Sequence, residues 1–179
     1  GEVLATPLQL ANAFATFANG GNRFAPNVVD RVVDRDGEVI RAFGPRQLSD
    51  VDIDSGFRKR VLAGLTGVTA DEEGTAYWAF NTEATGGTYF PLEEFPVAAK
   101  TGTAEVRGKA DTSIFAAFAP ATTPTHTVVA VLEESGFGSS VAAPLVARVL
   151  EKVLEEAVPS APLAVERYAR SAALPLCVA

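Results

Sequence analysis

Residues 97–106 read VAAKTGTAEV, a run whose valines, alanines and threonines suit a pleated strand while a lysine and a glycine interrupt its centre. In an extended strand Thr101 and Thr103 point to one face and Lys100 to the other, so a site using all three lies along the strand's edge. Such an edge leaves backbone N–H and C=O groups without partners, and Gly102 takes a Cβ out of a ligand's way; the run therefore suits an extended anionic peptide. Edge lysines also discourage strand-to-strand aggregation, and the tetrad alone leaves both readings open.

Working outward, residues 113–119 and 125–133 are two further β-type runs, and the short connections require antiparallel neighbours. Residues 141–158 carry Leu145, Val149, Leu150, Val153 and Leu154 at helical spacing, a helix that should pack behind this three-stranded meander with Lys100 to Thr103 on its free edge. Upstream, Thr6-Pro7-Leu8-Gln9 has the form of a capping box opening a buried amphipathic helix over residues 7–19, closed by Gly20-Gly21. Residues 28–33 and 38–43 flank Asp34-Arg35-Asp36-Gly37 as a surface hairpin. Ser55 or Asp54 caps a second helix to about Thr66, with Phe57, Val61, Leu62 and Leu65 as its apolar stripe. Residues 75–80 read as a helical turn and 81–95 as loop, while the proline-bearing tail 159–179 holds at most a turn around Glu166. The fold class that follows is α+β, an antiparallel sheet packed with helices, in one domain over residues 1–158 with a tail at 159–179.

Composition narrows the chemistry. Of the 179 residues 47% are hydrophobic, enough for one core, and 15 basic against 22 acidic residues give a net charge of −7, which argues against nucleic acid or an anionic membrane as partner. The nearly uncharged stretch 3–21 has polar interruptions and no basic flank, so it reads as neither a signal peptide nor a membrane span. One cysteine, Cys177, and one histidine, His126, exclude an internal disulfide and disfavour a His/Cys metal site or a Ser-His-Asp triad. His126 at a strand start and Cys177 in the tail read as solvated or structural residues. The acidic pairs 72–73, 93–94 and 133–134 read as solvated surface, and Glu105 with Arg107 as a surface ion pair. With no methionine in the sequence, the expectation is a fragment or a processed product.

Lys100-Thr101-Gly102-Thr103 resembles the Lys-Thr-Gly signature of penicillin-binding proteins and serine β-lactamases. Residues 1–21, with Thr6-Pro7-Leu8-Gln9-Leu10-Ala11 and Ala18-Asn19-Gly20-Gly21, are similar to the helix after the second active-site motif of class B penicillin-binding proteins. Gly74-Thr75-Ala76 resembles their Gly-Thr-Ala turn, and residues 115–120, 127–133 and Ala142-Ala143-Pro144 resemble their last strands and C-terminal helix. The family's nucleophile lies in Ser-x-x-Lys and its second element in Ser-x-Asn; neither occurs in these residues. The resemblance therefore implies the C-terminal half of a D,D-transpeptidase domain, inactive alone.

It further implies Lys100 and Thr103 as catalytic residues, and Thr101, Gly102 and Thr103 as binding residues for the substrate carboxylate, with the Thr103 N–H as one of two oxyanion donors. No cofactor and no metal are implied. The implied ligands are the peptidoglycan stem peptide and β-lactams, and the implied location is the extracytoplasmic face of the bacterial cell membrane, held through an upstream anchor. The missing N-terminal part of the protein, or a second copy of this chain, is the implied macromolecular partner, because apolar faces should otherwise stay uncovered. A β-lactamase, or a non-catalytic β-lactam sensor or scaffold, is the alternative; the capped helix and the Gly-Thr-Ala turn favour the transpeptidase.

Overall fold

A computed structural model describes residues 4–81 and 90–157. The first residues, part of the 81–95 loop, and the tail with Glu166 and Cys177 lie outside the described residues, as does the boundary drawn at 158. Within them no helix is long and apolar enough to cross a membrane.

The chain opens with α1 (Pro7–Ala18). Thr6 Oγ1 accepts from the Gln9 N–H at 3.2 Å while Gln9 Oε1 accepts from the Thr6 N–H at 2.8 Å, so the capping box closes on two otherwise orphaned donors. Gly20 and Gly21 then turn the chain with φ of +87° and +115°, and a Cβ on Gly21 would also strike the Val51 carbonyl. The expected amphipathic face is present: Thr16 and Ala18 are buried and Phe14 and Phe17 pack against the same core, whereas Leu8, in the first turn, is 60% exposed.

Next comes a nested β arm. Strand β1 (Asn22–Phe24) pairs antiparallel with β4 (Gln47–Asp50), and inside them β2 (Arg31–Val33) pairs with β3 (Val39–Ala42). Asp34 Oδ1 accepts from the Asp36 and Glu38 N–H groups, each at 2.9 Å, and Gly37 takes φ +89°, which fixes the tip. Every residue of β2, β3 and β4 is exposed.

Helix α2 (Ser55–Ala70) is capped by Asp54, whose Oδ1 accepts from the Phe57 N–H at 2.8 Å. It runs a full turn past the expected end at Thr66. Thr69, fully buried, donates to the Val97 carbonyl at 2.8 Å, so tertiary contact overrides the weak helix propensity of Thr66-Gly67-Val68-Thr69. Of the expected stripe only Leu62 and Leu65 pack; Phe57 is exposed, with the Arg60 guanidinium 4.7 Å from its ring centroid. The short α3 (Tyr77–Asn81) follows.

Strands β5 (Ala98–Ala104), β6 (Thr112–Ala119) and β7 (His126–Leu132) form the antiparallel meander in the order β5-β6-β7. Alternation along the strands sorts their side chains onto two faces. Val97, Ala99, Phe115 and Ala117 meet Phe80 of α3 and Ala143, Val146 and Leu150 of α4 (Ala142–Ala157), with the Phe80 and Phe115 rings stacked at 6.0 Å. Ala98 and Phe118 meet Phe17 of α1 and Leu62 and Leu65 of α2. The sheet thus lies between two helical layers, and α4 sits behind it as expected. Glu105 and Arg107 do not pair with each other, whereas Arg31 pairs with Asp30 and Lys109 with Glu134.

Candidate active site

The register Lys100↔Ala116, Thr101↔Phe115, Gly102↔Ile114 and Thr103↔Ser113 puts all four residues of the tetrad on an outer strand, paired on one side only among the described residues. In an antiparallel ladder a residue's N–H and C=O point the same way, and the direction alternates from residue to residue. The Val97 carbonyl is taken by Thr69, on the side away from β6, and the Thr101 carbonyl accepts from Lys100 Nζ at 2.8 Å. Thr103 shares that parity, so its N–H faces the free edge. Helix α2 meets the edge at Val97, Ala98 and Ala99 are fully buried, and exposure begins at Lys100.

The four side chains divide as the alternation requires. Lys100 is exposed and lines an open groove of about 710 Å³ with Val61, Leu65 and Val68 of α2 and the turn 71–75. Its ammonium reaches back across the edge to the Thr101 carbonyl, and no carboxylate among the described residues pairs with it. Thr101 and Thr103 point to the opposite face. There Thr101 Oγ1 lies 3.0 Å from Thr75 Oγ1, and Thr103 Oγ1 accepts from the Gly138 N–H at 3.5 Å. Gly102 has a packing reason that its sequence did not reveal: a Cβ there would sit 3.2 Å from Ile114 Cβ, its cross-strand partner, much closer than such pairs ordinarily approach.

Two loops hold this strand from outside. The segment 135–141, between β7 and α4, is fixed by Ser113, which is fully buried: its Oγ donates to the Phe137 carbonyl and accepts from the Ala142 N–H, both at 3.1 Å. The turn before α3 is fixed by Gly74, where a Cβ would run into the carbonyl oxygens of Gly67 and Val68, and by the Ala76 N–H, which donates to the Val68 carbonyl at 2.9 Å. Sequence reasoning named the Gly74-Thr75-Ala76 turn but gave Thr75 no task, and it missed Ser113 and Gly138. His126 Nδ1 lies 2.9 Å from Thr125 Oγ1, on a different strand from the tetrad.

The model of the penicillin-binding protein transpeptidase domain matches residues 1–151. Peptidoglycan D,D-transpeptidase MrdA of Escherichia coli K12 is 28% identical over 165 residues, which cover 84% of this chain and 24% of that protein. Among solved structures, the D,D-transpeptidase domain of a peptidoglycan glycosyltransferase from Eggerthella lenta superposes with a TM-score of 0.69 at 30% identity, over 86% of this chain and 33% of that one. The ceftriaxone acyl-enzyme complex of penicillin-binding protein A from M. tuberculosis superposes with the same TM-score of 0.69 at 26% identity, again over 86% and 33%. The chain therefore spans about a quarter of the length of the curated relative and a third of the solved chains.

Proposed function

The chain belongs to the transpeptidase-domain family of penicillin-binding proteins, and from that membership we propose that it supplies the Lys-Thr-Gly-Thr wall of a D,D-transpeptidase active site whose nucleophilic serine lies upstream of these residues. The observation that carries the reading is the edge strand: two hydroxyls on one face, an ammonium turned to the edge, and the Thr103 N–H directed outward along it. In the intact protein the serine Oγ attacks the D-Ala-D-Ala carbonyl of a stem peptide. The C–N bond breaks, the terminal D-alanine leaves carrying the proton, and an amine of a neighbouring strand takes the acyl group and restores the serine.

In this scheme the Thr101 and Thr103 hydroxyls hold the substrate carboxylate and Lys100 supplies positive potential beside it. The Thr103 N–H is one of two donors to the tetrahedral oxyanion, a type of contact whose loss costs about 3 kcal/mol of transition-state stabilisation. Gly102 keeps the strand slim enough for Ile114 while leaving the edge backbone accessible to the peptide. β-Lactams are trapped at the acyl stage, in keeping with the acyl-enzyme form of the mycobacterial relative. The proposed location is the extracytoplasmic face of the bacterial membrane, through an anchor outside this chain.

A fluorescent penicillin followed by denaturing electrophoresis tests the assignment. The full-length protein should be labelled covalently and the 179-residue chain alone should not, because a covalent adduct follows the polypeptide that carries the serine. Label on the short chain would overturn the assignment. In isolation the chain should associate with the upstream portion, or with a second copy, through exposed apolar residues such as Leu8, Phe57 and Phe137.

A further inference from the structure

We propose that Thr75 is a positioning residue for carboxylate recognition: its hydroxyl donates to Thr101 Oγ1 and so reserves Thr101's own proton for the substrate. This rests on the reading of the tetrad given above. A threonine hydroxyl has one proton to give and two lone pairs. With Thr101 Oγ1 and Thr75 Oγ1 3.0 Å apart, one of the two donates to the other. If Thr101 donates to Thr75, its proton is spent and a carboxylate meets only lone pairs. A bound carboxylate therefore selects the other direction, in which Thr75 donates to Thr101 and Thr101 to the anion. Hydrogen bonds in such a chain polarise one another, so the outer hydroxyl strengthens the inner contact without touching the ligand.

The turn that carries Thr75 is built to hold it there. Gly74 is pressed against the carbonyls at the C-terminal end of α2, the Gly74 N–H donates to the Asp71 carbonyl at 2.8 Å, and the Ala76 N–H donates to the Val68 carbonyl at 2.9 Å. Ala76 is itself buried in the core against which β5 packs. Backbone on both sides of Thr75 is thus tied to the helix and the core, while its side chain remains exposed at the open site. Placement by rigid elements is what a positioning hydroxyl requires.

Acylation of the full-length protein by benzylpenicillin, followed by intact mass, tests this with Thr75→Val, Thr75→Ser, Thr101→Val and the Thr75→Val/Thr101→Val pair. Thr75→Val should slow acylation about fivefold, the scale of one hydrogen bond, and Thr75→Ser should restore it. In the Thr101→Val background Thr75→Val should have no further effect, and with benzylpenicillin methyl ester, which lacks the carboxylate, it should have none at all. An unchanged rate in Thr75→Val while Thr101→Val is slow would overturn the inference and leave the tetrad's role standing. An undiminished effect in the Thr101→Val background, or with the ester, would also overturn it, since Thr75 would then act on its own or merely hold the fold. If Thr101→Val itself acylates at the normal rate, the carboxylate role of the tetrad fails, and this inference with it.

Discussion

Gly138 lies flat on the backbone of Gly102: a Cβ added to Gly138 would strike the carbonyl oxygens of Gly102 and of Ile114, the cross-strand partner of Gly102. The loop before α4 is thus fitted to the strand that carries Lys100, and the fit depends on the absence of one methyl group.

Gly138→Ala in the full-length protein should therefore lower stability by about 1–3 kcal/mol, the usual cost of overpacking a filled site, and slow β-lactam acylation by shifting β5. Urea denaturation and acylation rates read the two effects. An unchanged urea midpoint would mean that the loop gives way at no cost.

Lys100→Ala should slow acylation roughly ten- to a hundredfold, the equivalent of one hydrogen bond to a charged group. Because the side chain is exposed and bonded only to the Thr101 carbonyl among the described residues, stability should change by no more than about 0.5 kcal/mol. Normal acylation kinetics in this variant would reduce Lys100 to a guard against strand-to-strand aggregation.

Arg58 reaches from α2 to the C-terminal end of α1, donating to the Ala18 carbonyl at 2.6 Å and to the Phe17 carbonyl at 3.2 Å, with its guanidinium 5.7 Å from the Phe17 ring centroid. Removing it orphans the Ala18 carbonyl and leaves the Phe17 carbonyl with the Gly20 N–H alone. Arg58→Ala should cost about 1.5–3 kcal/mol, and Arg58→Lys should recover only part of that, because an ammonium lacks the planar fork. Thermal unfolding of the full-length variants gives the comparison.

What the sequence disclosed depended on how local the cause was. The box at Thr6 and Gln9 spans one helical turn and the tip at Asp34 to Gly37 spans one hairpin, so both were legible. The β1–β4 pair was not: Gln47-Leu48-Ser49-Asp50 has little strand character, and it pairs with residues 22–24 because the inner hairpin brings the ends together. The last turn of α2 escaped for the same reason, since Thr69 earns its helical place from a carbonyl 28 residues away. At the site, the tetrad stood out by its resemblance to the Lys-Thr-Gly signature, and alternation put a site that uses all of it at a strand's edge. The contact of Thr75 with Thr101 could not be read, because the residues are 26 apart and each looks ordinary in its own neighbourhood.

The parity of β5 also acts as a ruler. Along the open edge only every second residue presents its N–H and C=O outward, the set that contains Thr101 and Thr103. An extended guest that hydrogen-bonds there can change register only by two residues at a time, about 6.8 Å. A slip of one residue would face it with backbone already engaged by β6 and would exchange the threonine face for the lysine face. A peptide lengthened by a single residue therefore cannot be accommodated by sliding one place along the groove; under the proposed reading, the bond to be broken would either stay in register with Thr103 or miss it by a full step of the ruler.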